Sequence, residues 1–508
     1  MAKYVEGVNS QGEENVRKTM QDFWTGYSHH GASVKEMLLD SAAEAIADPE
    51  CQEILSMLPN YEGKRILELG AGIGRYTGFL ARRAAHVTAV DFTEAFVEKN
   101  RQTNGHFQNV DFVQADVTKL ELSEHSYDIV FSNWLMMYLT DDEVLELLKN
   151  ILLWLTEDGY MFFRESCYRQ VGEYIPHGTN PTRYRDPSEY NALHHSALVP
   201  LPDADGAAST GFQLIFSKAV QTYIKVKKTQ RQVCWLLQKK QIKDSDGRIT
   251  RQCFLDNQQR SKQGILQCEM IFGHGYVNHG GLETTKELVD MLQLQAGQRV
   301  LDVGCGLGGA DFYMAESCGV DVLGVDFLSN VIETAMERAA DKTENSQVQF
   351  EVCDITRRGF EVESFDRTYS RETILHVSDK RSLFANFFKW TKPGGKVLIT
   401  DYCCGPPESH SEEFQTYVAQ RGYTVCTPTE YGKLLSSAGF SNVKAEDRTN
   451  QFVNILSQER KQFIEQRDDF LKEFSEEDYQ RIVDGMDSKL KRCQAAGQQW
   501  CLFYAEKQ

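Results

Sequence analysis

No stretch of this 508-residue chain approaches the roughly 18 consecutive apolar residues that a membrane-crossing helix requires, so no membrane insertion is expected. The chain starts polar, without the apolar core of a secretory signal, and none is expected. Paired CxxC spacing is missing too. The 13 cysteines are scattered, several in apolar surroundings such as Ser166-Cys167-Tyr168, Gln232-Val233-Cys234-Trp235 and Val352-Cys353-Asp354. The adjacent Cys403-Cys404 pair has poor geometry for a disulfide, so reduced thiols in a cytoplasmic protein are expected, with no metal site. Positive charge is also short. A formal net charge of −18 argues against a surface that neutralises a nucleic-acid backbone, so any anionic substrate must be held by local basic groups.

What the chain does hold is a duplication. Ile66-Leu67-Glu68-Leu69-Gly70-Ala71-Gly72-Ile73-Gly74-Arg75 is followed by Asp91, and Val300-Leu301-Asp302-Val303-Gly304-Cys305-Gly306-Leu307-Gly308-Gly309 by Asp326. The offset between copies stays nearly constant: 235 positions from Asp91 to Asp326, 238 from Asp116 to Asp354 and from Asn133 to Arg371, and 236 from Gly159 to Gly395. A whole folding unit is repeated, in a chain too long for one core.

Hydrophobic patterning gives both halves the same plan. In the first, an amphipathic helical stretch from about Gly12 to Met57 precedes apolar runs at Arg65 to Leu69, His86 to Val90, Val110 to Val113, Tyr127 to Phe131 and Tyr160 to Phe163. Helical segments such as Asp141 to Leu155 separate these runs, which predicts an α/β fold: a mainly parallel sheet with helices on both faces. Phe212 to Phe216 and Ala219 to Val226 read as an antiparallel pair at the sheet edge. The second half repeats the plan, with a helical lead-in from Phe254 to Gln293 and strands at Arg299 to Val303, Val320 to Val325, Val348 to Val352, Asp366 to Tyr369 and Lys396 to Thr400. Its closing strands are Asn442 to Glu446 and Trp500 to Ala505, and the charged segment Gln458 to Phe474 reads as a solvated surface helix. The polar stretch Lys243-Asp244-Ser245-Asp246-Gly247 suggests domains at 1–240 and 251–508 with a linker at 241–250.

A glycine-rich turn between strand and helix lets a ligand approach the backbone, and an acid ending the next strand accepts from ribose hydroxyls. The alternating glycines miss the dinucleotide spacing, which counts against NAD-dependent oxidoreduction. Glu68 and Asp302, before each turn, would repel a pyrophosphate but suit a cationic cofactor, while Asp116 and Asp354 are placed to reach an adenine amino group.

These features resemble the class I S-adenosylmethionine-dependent methyltransferases. Longer strings narrow the resemblance to the bipartite phosphoethanolamine N-methyltransferases across nearly the whole chain. In the first half they are Phe131-Ser132-Asn133-Trp134-Leu135-Met136-Met137-Tyr138-Leu139, Phe162-Phe163-Arg164-Glu165-Ser166-Cys167 and Asn180-Pro181-Thr182-Arg183-Tyr184-Arg185. In the second they are Gly280-Gly281-Leu282-Glu283-Thr284-Thr285-Lys286, Tyr369-Ser370-Arg371-Glu372-Thr373-Ile374-Leu375-His376 and Ile399-Thr400-Asp401-Tyr402-Cys403. The resemblance implies two tandem Rossmann-like domains and methyl transfer from S-adenosylmethionine, leaving S-adenosylhomocysteine. It further implies three methylations, from phosphoethanolamine through phosphomonomethylethanolamine and phosphodimethylethanolamine to phosphocholine. The first domain would favour the initial step and the second the later ones.

By the same resemblance, Gly70, Arg75, Asp91, Asp116, Val117 and Asn133 hold the first cofactor, and Val277, Asn278, Gly304, Asp326, Asp354, Ile355 and Arg371 the second. Ser166, Asn180, Thr182, Tyr184 and Arg185, with Arg183 and Lys225 as additions, would contact the first phosphobase, and Tyr402, Arg421, Tyr423 and Lys489 the second. His376, Tyr138 and Tyr27 are the catalytic candidates, with Trp24 and Tyr27 offering aromatic faces to an ammonium. The chain departs from the family where Arg260 and Cys268 replace two tyrosines of the second site. Arg260 would then serve the phosphate clamp, and a second domain that binds cofactor or product without catalysis is the alternative.

Overall fold

A computed structural model describes residues 19, 23, 24, 26, 43–168, 182–201, 208–243, 262–341 and 347–508. The chain divides into two compact units, Met1–Cys253 and Phe254–Gln508. Among the described residues no helix is long and apolar enough to cross a membrane, and the cysteines are free thiols.

The first unit contains strands β1 (Arg65–Leu69), β2 (His86–Asp91), β3 (Val110–Gln114), β4 (Tyr127–Asn133), β5 (Leu155–Ser166), β6 (Val199–Pro200), β7 (Ala208–Ala219) and β8 (Gln232–Lys243). They lie in the order β3-β2-β1-β4-β5-β8-β7, parallel from β3 to β5 and antiparallel beyond it, with β6 beside β7. In the second unit β9 (Arg299–Val303), β10 (Asp321–Asp326), β11 (Val348–Cys353), β12 (Phe365–Arg371), β13 (Thr391–Cys404), β14 (Ser441–Asp447) and β15 (Gln498–Glu506) follow the same order, β11-β10-β9-β12-β13-β15-β14. The first five of these are parallel, and the pairs with β15 are antiparallel. The register repeats as well, with Glu68 opposite Ala89 and Phe131, and Asp302 opposite Gly324 and Tyr369.

The central strands are apolar because helices cover both faces. In β1 and β9 every residue after the leading arginine is buried. Helix starts are written locally: Thr140 and Glu143 form a reciprocal capping box before Asp141–Trp154, and Thr427 and Glu430 do so before Pro428–Ser437. In each sheet the order reverses between the first and fourth strands, and this opens a crevice at their carboxyl ends. The glycines of both turns lie there.

Two expectations need correction. Ala219 to Val226 is not a strand: Gln221–Lys227 is a helix, and the partner of β7 is β8. Glu53 accepts from the backbone N–H groups of Gln221 and Thr222 at 2.6 and 2.7 Å, and Lys228 ends the helix in the left-handed region, so both termini are fixed. The charged segment after Gln458 is not simply solvated either. The helices Thr449–Glu465 and Arg467–Phe470 bury Phe452, Leu456, Phe463 and Phe470, and Phe463 stacks on Tyr479 of helix Glu476–Gln494 at 5.1 Å. Of the expected first lead-in, the helix Ala43–Met57 is described.

The first core closes around Trp235 on β8. Its ring stacks on Phe163 at 4.7 Å, and its Nε1–H donates to Asn191 Oδ1 at 2.9 Å. Trp235→Ala is therefore expected to cost about 3–5 kcal/mol, measured by urea unfolding of the full chain.

Candidate functional site

The turn after β1 is shaped by a buried acid. Asp91 Oδ2 accepts from the Gly72 amide at 2.9 Å, and Oδ1 accepts from the Thr93 amide at 2.9 Å. Burial raises the pKa of Asp91 while these bonds oppose the rise. Gly70, Gly72 and Gly74 all have positive φ, and a Cβ on Gly74 would lie 2.0 Å from Asn100 Oδ1. Asp116 takes the Thr118 amide and hydroxyl on Oδ1, at 3.0 and 2.8 Å, which caps the short helix that carries Val117. Gly70, Arg75, Asp91, Asp116, Val117 and Asn133 line one cavity, together with Phe92, Ala115 and Leu135. Two carboxylates at the ends of neighbouring strands, with apolar walls between them, fit a ribosyl-adenine group.

Tyr138 and Trp24 close the same cavity, their rings edge-on at 5.4 Å, and Trp24 also meets Phe96. The segment before helix Pro187–Ser196 positions Tyr138. Arg183 N–H donates to Met137 O, and Arg185, wholly buried, donates to Asp141 and to the carbonyls of Met136 and Leu139. Arg185 thus supports the tyrosine loop instead of facing open solvent. Thr182 and Tyr184 are half-buried in this segment, and Lys225 is exposed. Ser166 accepts from Gln232, whose Oε1 takes the Trp134 indole N–H, so it belongs to a buried network behind the cavity. Tyr27, Asn180 and Arg260 lie outside the described residues.

Behind the cavity, Glu50 is completely buried between two arginines, Arg75 and Arg164, each at 2.6 Å. Arg164 also donates to Asn133 and stacks 3.7 Å over Trp134. The first lead-in helix is thereby tied to the end of β4.

The second unit repeats the turn. Asp326 accepts from the Gly306 amide at 3.0 Å and the Leu328 amide at 2.9 Å, and Asp354 accepts from Thr356 N–H and hydroxyl at 2.9 and 2.6 Å, beside the buried Ile355. A Cβ on Gly304 would lie 1.8 Å from Thr373 Oγ1, and one on Gly306 would lie 2.9 Å from Val277 Cγ2, so Val277 covers the turn. Asn278 donates to the Arg371 carbonyl. The Arg371 side chain is buried and donates to Thr285 and to the carbonyls of Gly281 and His279. It ties the second lead-in to β12, as Arg164 and Glu50 do in the first unit.

One feature is not repeated. Where Glu68 takes the Thr77 hydroxyl at 2.6 Å, Asp302 meets a second acid, Asp311. Both are fully buried, and Asp302 Oδ1 and both Asp311 oxygens lack a side-chain donor, so a proton held on one carboxyl offers a hydrogen bond to the other. Burial pushes Asp302 well above the carboxylate range and Asp311 up to about 7.

The substrate side of the second unit gathers cations among phenols. Lys489 Nζ lies 5.5 Å from the Tyr402 ring centre, and burial lowers its pKa to about 8. Arg492 lies 3.7 Å over the Tyr417 ring, Arg421 lies 5.9 Å from the same ring, and Tyr417 meets Tyr423 edge-on at 5.7 Å. Tyr423 in turn packs edge-on to the exposed His376 at 5.0 Å. Glu372 takes the Trp500 indole N–H at 3.0 Å and the Tyr402 hydroxyl at 3.5 Å. Tyr417, Arg492 and Glu372 were not anticipated. Spacing held part of the signal, since Arg492 follows Lys489 by one helical turn and Tyr417 precedes Arg421 by another. Cys268 is half-buried on helix Lys262–Phe272.

Comparison with known proteins agrees on both halves. Models of a methyltransferase domain match residues 66–159 and 294–447. Phosphoethanolamine N-methyltransferase 1 of Zea mays is 47% identical over 508 residues, covering 100% of this chain and 99% of that protein. The phosphoethanolamine N-methyltransferase of Plasmodium falciparum is 39% identical over 256 residues, 50% of this chain and 95% of that one. A structure of phosphoethanolamine N-methyltransferase 2 of Haemonchus contortus, with phosphomonomethylethanolamine and S-adenosylhomocysteine, is 25% identical. It covers 90% of this chain and 97% of that one at a TM-score of 0.72.

The acid pair makes a pH prediction. Folded Asp311 keeps a proton that an unfolded Asp, with an ordinary value of 3.8, releases, so its contribution is complete below that value and lost as pH rises through about 7. Asp311→Asn supplies a permanent donor, so unfolding measured from about pH 6 to 8 is expected to show about 1 kcal/mol less loss than the unmutated chain.

Proposed function

The chain belongs to the phosphoethanolamine N-methyltransferases, and we propose that each unit binds S-adenosylmethionine and that together they convert phosphoethanolamine to phosphocholine in three methylations. The first unit favours the initial step and the second the later two. The observation that carries this is the pairing, in one chain, of two matching acid-and-glycine turns with one cluster of cations and phenols around Lys489.

S-adenosylmethionine supplies a methyl group activated on a sulfonium. The residues of the chain must hold the acceptor's phosphate, orient its nitrogen and accept the proton that an ammonium loses before it is nucleophilic. In the second unit Lys489, Arg421 and Arg492, beside Tyr402, Tyr417 and Tyr423, provide the charged and hydroxyl donors that a phosphomonoester requires. Glu372, fixed by the Trp500 indole, takes the Tyr402 hydroxyl and so holds that phenol beside Lys489. His376, at the end of the short helix Ile374–His376, takes the proton, a role contributing about 10²- to 10⁴-fold. Positioning contributes the larger share.

In the first unit Tyr138 stands where His376 stands in the second, and Trp24 gives the cavity an aromatic face for the amine. Asn133 and Arg371 also differ at one shared position, where Asn133 accepts from Arg164 and Arg371 donates to Thr285. The alternative, a second unit that binds without turnover, rests on Arg260 and Cys268 standing where the family has tyrosines.

Methyl transfer from labelled S-adenosylmethionine to each of the three phosphobases tests the assignment. Asp91→Ala is expected to abolish methylation of phosphoethanolamine while sparing phosphodimethylethanolamine, and Asp326→Ala is expected to do the reverse. Loss of all three activities with Asp91→Ala alone favours the binding-only second unit, and no phosphocholine from the unmutated chain refutes the proposal. Lys489→Ala is expected to raise KM for phosphodimethylethanolamine by about 10- to 100-fold.

A further inference from the structure

Lys489 belongs to a buried chain of polar groups that reaches from the phosphate side of the second site to its cofactor side. Lys489 Nζ lies 2.8 Å from His279 Nε2, His279 Nδ1 lies 2.5 Å from Glu459 Oε2, and Glu459 Oε1 accepts from the Gly280 amide at 2.6 Å. His279 and Glu459 are both buried, and the imidazole is packed edge-on by Phe272 at 4.8 Å and Phe452 at 5.3 Å. Burial and the neighbouring Lys489 hold His279 well below the usual histidine range, so the ring is neutral with a single N–H. An ammonium can only donate, so Nε2 accepts from Lys489 and Nδ1–H donates to Glu459. Each group in the chain then has one consistent role.

The backbone around His279 belongs to the cofactor side. Gly275 O accepts from the Gly309 amide at 3.1 Å, the Tyr276 hydroxyl donates to Gly309 O at 3.2 Å, and Val277 covers Gly306. The His279 carbonyl accepts from Arg371, and Asn278 donates to the Arg371 carbonyl. Ordering this loop over the glycines therefore places the imidazole, and the imidazole places the ammonium.

We propose that His279 is a positioning residue that couples the two ligands of the second site: its ring fixes the Lys489 ammonium for the substrate's phosphate, and its backbone fixes the loop over the cofactor turn. Each ligand then strengthens binding of the other. The proposal rests on the reading of Lys489 as a phosphate ligand.

The test uses the full chain carrying Asp91→Ala, so that the first cofactor site is silent, and calorimetric titration with S-adenosylhomocysteine in the presence and absence of phosphocholine. With His279 intact, phosphocholine is expected to tighten S-adenosylhomocysteine by about tenfold. His279→Leu is expected to reduce that coupling to less than about twofold and weaken phosphocholine about tenfold, with S-adenosylhomocysteine alone bound as before. His279→Gln, whose carbonyl accepts from an ammonium, is expected to recover much of the phosphocholine affinity, which a loss of packing alone would not allow. Undiminished coupling in a folded His279→Leu chain, or no recovery with His279→Gln, overturns the proposal. If the His279 chain binds S-adenosylhomocysteine but no phosphocholine, the reading of Lys489 fails first and takes the proposal with it.

Discussion

The interaction on which both sites depend is the hydrogen bond from the middle glycine of the turn to the acid that ends the second strand, Gly72 to Asp91 and Gly306 to Asp326. It explains why three glycines alternate: the chain must bend at positive φ and still aim one amide at a buried carboxylate. It also explains why the acid is kept although burial raises the pKa of Asp91, because the fold supplies the amide donors that offset part of that cost. The carboxylate therefore has two tasks. It shapes the turn and it presents an acceptor edge to the crevice between the first and fourth strands.

Around this shared element the two units solve the same problem with different groups. Each must anchor its lead-in segment to the end of the fourth strand. The first does so with Glu50 held between Arg75 and Arg164, and the second with Arg371 reaching the carbonyls of its own lead-in. Each must also cap the loop after that strand. Glu165 takes the amides of Leu135, Met136 and Met137, and Asp401 at the matching position takes the amide of Leu375, burial raising each acid to about 7. The loops so held present Tyr138 in one unit and His376 in the other. One frame is thus shared while the side chain it presents differs.

Much of this frame was legible because it is local. Strands, helix caps and glycine turns are written within a few residues, and the constant offset between copies fixed their correspondence. What escaped depends on pairs far apart in the chain. Gln221–Lys227 carries an apolar run that suits a strand, and the Glu53 carboxylate, 168 residues away from Gln221, caps it as a helix. Glu459 sits in a charged segment with the composition of a surface helix, and its partner His279 is 180 residues distant. Arg185 also donates to Asp141, Met136 and Leu139, a network that no spacing reveals.

The central claim is that one chain carries two independent cofactor sites built on the same acid and turn. Calorimetric titration of the full chain with S-adenosylhomocysteine measures this directly. Two equivalents should bind to the unmutated protein and one to either Asp91→Ala or Asp326→Ala. A stoichiometry of one in the unmutated chain would contradict the claim.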